Sequence, residues 1–91
     1  MSKKLSDVEI SQDNRVIIVR TIKNCKISIS LFNIIIDELQ KSRTLEDFVR
    51  LVKKKFGMEN QPKNYVYSEE ENKLVECMNA VLKQFNFREE F

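Results

Sequence analysis

Apolar and polar residues alternate along much of the first third of the chain and recur at three- and four-residue steps along the rest. Val8-Glu9-Ile10-Ser11 has the period of a half-buried strand. Val16-Ile17-Ile18-Val19, continuing through Arg20, Thr21 and Ile22, places four β-branched apolar residues in succession, a run suited to a central strand covered on both faces. Asp13 and Asn14 suit a tight loop between these two segments, and Lys23-Asn24-Cys25-Lys26 forms a second turn into the alternating Ile27-Ser28-Ile29-Ser30-Leu31. With two-residue loops, Ile10 faces Ile17, Val8 faces Val19, Ile22 faces Ile27 and Ile18 faces Leu31. One sheet face then carries Val8, Ile10, Ile17 and Val19, and the other Ile18, Ile22, Ile27, Ile29 and Leu31.

Beyond Leu31 the spacing becomes helical. Leu31, Phe32, Ile34, Ile35, Ile36 and Leu39 make a wide apolar arc opposite Asn33, Asp37 and Gln40, which predicts a helix to about Lys41; the competing pattern extends the strand through Phe32 to Ile36. After a joint at Ser42-Arg43, Thr44 is a natural N-cap with an acid three residues later. The helix it opens, Leu45 to Phe56, buries Leu45, Phe48, Val49, Val52 and Phe56 and stops at Gly57. Residues 58 to 64 read as a loop, and Tyr65-Val66-Tyr67 as a short edge strand. Ser68-Glu69-Glu70-Glu71 opens a last helix with Leu74, Val75, Cys77, Met78, Val81, Leu82 and Phe85 on one stripe.

The fold class expected is therefore α+β: a three-stranded antiparallel meander, a helix pair, a short edge strand and a C-terminal helix. The order is βββααβα in a single domain spanning residues 1–91, with residues 1–7 a flexible lead-in.

Composition narrows the functions without choosing one. A chain of 91 residues, 42% hydrophobic and 33% charged, with one glycine and one proline, is expected to hold one core and little low-complexity sequence. Two cysteines far apart and no histidine argue against a disulfide framework or a zinc site and favour a reducing, cytoplasmic setting. Two lysines near the start precede no apolar leader, and no apolar run approaches membrane-spanning length, so the chain is expected to be neither secreted nor membrane-bound. Ile, Lys and Asn supply 28 of the 91 residues, a bias associated with AT-rich bacterial and phage genomes.

Charge is mildly bipolar. Residues 1–57 hold twelve bases and seven acids, and residues 58–91 four bases and seven acids, short of the basic footprint of a dedicated nucleic-acid binder. Arg50, Lys53 and Lys54 lie opposite the apolar stripe of their helix and, with Arg43, are the candidate phosphate contacts; acids at that helix's start and lysines at its end also suit its dipole in any protein. Glu69-Glu70-Glu71 has the same dipole explanation in preference to a calcium or acid–base role. Cys77 falls within the apolar stripe as a buried, inert thiol, and Cys25 in an exposed turn. One glycine cannot build a phosphate-cradling loop, and no serine or tyrosine has an identifiable base. Neither catalytic residues nor a cofactor or metal site is assigned.

What remains is binding. The face of Val8, Ile10, Ile17 and Val19, together with Phe87 and Phe91 near the C-terminus, exceeds what the core needs and is the expected partner-binding surface. These features lead to an expectation of a small non-enzymatic protein-binding module. It would act as an inhibitor, adaptor or regulator of a larger partner, and as a homodimer through the sheet face. The alternative is a helix-turn-helix DNA-binding regulator built on the pair around Ser42-Arg43-Thr44, using Arg43, Arg50, Lys53 and Lys54; Glu46 and Asp47 stand against it where base contacts belong.

Overall fold

Residues 4–62 and 64–87 are described by a computed structural model, in which they form helices and no sheet. After a 3₁₀ turn at Leu5–Asp7 come α1 (Gln12–Lys23), α2 (Ile29–Gln40), α3 (Leu45–Lys55) and α4 (Glu69–Gln84). The meander expected over residues 8–31 is thus overturned, as is the edge strand at Tyr65–Tyr67.

Local chemistry explains α1. Ser11 is an N-cap whose Oγ accepts the Asn14 amide at 3.2 Å, so Asp13 and Asn14 lie in a first helical turn and not in a hairpin loop. The β-branched run Val16–Val19 has modest helix propensity, costing a few tenths of a kcal/mol per residue against alanine. Burial of Ile18 and Ile22, four apart on one face, outweighs that cost. The alternation at Ile27–Leu31 likewise conceals a cap. Ser28 Oγ accepts the Leu31 amide at 3.1 Å and starts α2, leaving Ile29 80% exposed in its first turn.

The later helices lie close to expectation. Thr44 Oγ1 accepts the Asp47 amide at 3.2 Å and caps α3, although the Asp47 carboxylate reaches back to the Arg43 amide and not to that of Thr44. Leu45, Phe48, Val49 and Val52 are buried, and Phe56 partly so. Gly57, at φ +65°, ends the helix in the left-handed conformation, with the Met58 amide returned to the Lys53 carbonyl. Ser68 and Glu71 form a complete capping box on α4. That helix ends in the same manner at Asn86, φ 66°, with the Phe87 amide bonded to Leu82.

One apolar cluster joins all four helices. Inside it, α1 packs chiefly on α4, and α2 on both α1 and α3. At the α2–α3 joint, buried Ser42 donates to the Glu38 carbonyl at 2.8 Å, while the buried Glu38 carboxylate lies 3.8 Å from the Lys41 ammonium. Val8–Ile10 is extended, but its only β-type pairing is a single antiparallel bridge, Glu9 to Thr44. The Ile10 amide donates to Arg43, and the Leu45 amide to Val8, each at 2.8 Å.

The cysteines also depart from expectation. Cys25, just after α1, and Cys77, midway along α4, form a disulfide with their Cα atoms 5.6 Å apart. Their 52-residue separation gave no sign of this, because packing α1 on α4 is what brings them together.

Candidate functional site

Ile18 and Ile22 commit one side of α1 to the core, and the other apolar residues of the helix do not follow them inward. Val16 is 47% and Ile17 37% exposed, and Val19 is half-buried. Gln12, Arg15, Val16, Val19, Arg20 and Lys23, at helical steps of three and four, line a shallow groove of about 370 Å³ along three turns of this face. That volume is near the lower end of the range for small-molecule pockets, and the groove is open along its length.

Its charge has one sign. Arg15 is fixed by an Nη1 donation at 3.1 Å to the Leu39 carbonyl at the C-terminal end of α2, which also accepts the Ser42 amide. Ion pairs form at Lys41, Arg50 and Lys73, and among the described residues none neutralises Arg15, Arg20 or Lys23. Three uncompensated cations therefore border Val16 and Val19.

The cleft beside α3 differs. It is lined by Leu5, Glu46, Val49, Arg50, Lys53 and Glu59, about 270 Å³, with acids and bases in equal number. Arg50 is bonded to Asp47 at 2.9 Å. Of the candidate phosphate contacts, Arg43 and Lys54 are exposed and Lys53 is partly buried, and Arg50 and Lys53 share their cleft with Glu46 and Glu59.

The expected partner surface is dispersed. Val8, Ile10 and Phe87 are buried in the core of the chain itself, Ile17 and Val19 lie on α1, and Phe91 lies outside the described residues. Residues 12, 15, 16, 19, 20 and 23 fit a helical period as well as the β-branched run fits a strand, and that period was the signal available for Arg15, Val16, Arg20 and Lys23.

The acids at the head of α4 are occupied structurally. Glu71 accepts the Ser68 amide at 2.9 Å and the Tyr65 hydroxyl at 3.3 Å, and Glu69 pairs with Lys73. The Ser68 amide, more than the Tyr65 hydroxyl, holds the Glu71 carboxyl below the usual carboxylate range. The Tyr65 phenol is raised, first by partial desolvation and then by the Glu71 charge; its ring stands edge-on to Tyr67 at 5.1 Å. Among the described residues no three Cys, Asp or Glu side chains converge to hold a metal ion, and no helix is long and apolar enough to cross a membrane.

In class, fold and site define a small helical domain with one basic, partly apolar helix face. Comparisons with protein-family models, curated proteins and solved structures found no match for this chain.

Proposed function

We propose that this chain is a non-enzymatic, cytoplasmic protein-binding module, acting as an inhibitor, adaptor or regulator. Its docking surface is the outer face of α1, and the partner is an acidic amphipathic segment of a larger protein. The observation that carries the reading is the stripe of Val16 and Val19 bordered by Arg15, Arg20 and Lys23, cations without a carboxylate among the described residues. An apolar ridge flanked by acids matches such a stripe in shape and sign, because apolar burial supplies affinity and the charges select the partner. A homodimer across this face would set Arg20 and Lys23 against their own copies, and the sheet face on which a homodimer was expected does not exist.

The test uses two synthetic amphipathic helices that share a leucine ridge, one flanked by glutamates and the other by lysines, with binding read by fluorescence anisotropy. The glutamate peptide should bind, Arg20→Glu with Lys23→Glu should weaken it at least tenfold, and the lysine peptide should not bind. Equal binding of both peptides, or of neither, overturns the reading.

The α2–α3 pair, joined by the four residues Lys41 to Thr44, keeps a helix-turn-helix reading in view. Sequence-selective duplex binding that survives about 0.2 M salt would establish it in place of the α1 reading.

A further inference from the structure

A second cleft, about 230 Å³, opens between the α1–α2 turn and α4, lined by Asn24, Cys25, Lys26, Lys73, Glu76 and Cys77. The disulfide forms part of its wall, and the two residues are unequally exposed: Cys25 is partly exposed, whereas Cys77 is 2% exposed. We propose that Cys25–Cys77 is a reversible thiol-exchange site at which a small cellular thiol attacks Cys25 and not Cys77.

Access decides which sulfur is attacked, since an incoming thiolate must approach along the S–S axis from the far side of its target. Both cysteines line the cleft, but Cys25 is partly exposed and Cys77 is 2% exposed within the apolar cluster, so Cys25 is the more accessible target. In the step, the thiolate sulfur bonds to Cys25 Sγ, the Cys25–Cys77 bond breaks, and its electron pair leaves on Cys77 Sγ, which then takes a proton from water. A second thiol releases Cys25 and carries away the mixed partner as a symmetrical disulfide, and that disulfide re-forms the bond by the reverse sequence. Lys73, one helical turn before Cys77 and lining the same cleft, supplies a positive charge near the departing thiolate; Glu76 opposes it, and Glu69 pairs with Lys73 at 3.9 Å.

In a cytoplasmic setting, disulfides are mostly transient and redox-sensing, so the exchange rests on that part of the proposed function; it stands whether or not α1 docks a partner. Opening the bond removes the covalent tie between the end of α1 and α4 and leaves the packing of Ile18 and Ile22 to hold the basic face.

The full chain is oxidised with glutathione disulfide, and free thiols are counted. It is then exposed to reduced glutathione, quenched with N-ethylmaleimide and mapped by peptide mass spectrometry. No free thiol is expected at first, followed by glutathione on Cys25 and maleimide on Cys77. Two free thiols after oxidation would remove the couple. Glutathione on Cys77, or on both cysteines equally, would remove the regioselectivity. A Met78→Ala variant, which loosens the packing beside Cys77, should raise the share of adduct on Cys77, and an unchanged share would show that burial does not direct the attack.

Discussion

Reducing the Cys25–Cys77 bond should destabilise the domain by a definite amount. The sulfurs are 52 residues apart, and the chain-entropy relation for a loop of that length gives about 14 cal/mol/K, or about 4 kcal/mol at 25 °C, for restraint of the unfolded chain. A 91-residue domain commonly has about 5–14 kcal/mol in all, so this staple is a large share of its stability. The perturbation is tris(2-carboxyethyl)phosphine, which leaves every side chain otherwise intact, and the assay is urea unfolding followed by far-ultraviolet circular dichroism. At a slope of about 1–2 kcal/mol per molar urea the midpoint should fall by about 2–4 M. A double variant, Cys25→Ala with Cys77→Ala, should not respond to the reductant. Oxidised and reduced chains that unfold within about 0.5 M of each other would refute the reasoning, because the unfolded chain would then gain nothing from release.

Four smaller perturbations test the rest of the frame. Thr44→Ala removes the acceptor of the Asp47 amide and should cost about 1 kcal/mol in urea unfolding. Ile22→Val deletes one methyl from a fully buried side chain on α1 and should cost about 1 kcal/mol, where a solvent-facing residue 22 would show no loss. Gly57→Ala meets no atom within 4 Å but must hold φ +65°, so a loss of about 1 kcal/mol there reports backbone strain with no steric clash, net of the unfolded chain's reduced freedom. Because the folded Glu71 carboxyl titrates below its unfolded range, its contribution is present above that range and disappears as pH falls through the folded value. Tyr65→Phe removes one donor and should move the Glu71 midpoint upward in a carbon-13 titration, and an unmoved midpoint would show that the hydroxyl does not hold the charge.

Where chain-local chemistry and burial agree, the helices were legible. Thr44 and Ser68 announce α3 and α4, and the buried positions of both helices follow the apolar stripe. The first third has the pattern of strands because its caps are serines inside otherwise alternating sequence. Ser11 and Ser28 fit outward strand positions in that alternation, whereas their hydroxyls close helix termini. For Val16 to Val19, local propensity favours a strand, and the helix is set by what Ile18 and Ile22 bury. The same ambiguity of period extends to the candidate site. A sheet face grouped Val8 and Ile10 with Ile17 and Val19, while a helical period groups Val16 and Val19 with Arg15, Arg20 and Lys23. The cysteine pair was hidden because its proximity follows from tertiary packing, and no spacing in the chain encodes it.

The bridge between Glu9 and Thr44 bears on the order in which the domain assembles. The Leu45 amide is among the first of α3, a group no helix satisfies internally, and its acceptor is the carbonyl of Val8. The first turn of α3 is therefore completed by a segment more than thirty residues earlier in the chain, after α1 and α2 have folded back within the intervening segment. Closing that loop is slow compared with propagating a helix, so the Leu45 and Ile10 amides should gain protection from solvent exchange together, later in folding than the middle of α3. A tag or deletion that disturbs residues 8 to 10 would act on α3 across this seam, far from the altered sequence.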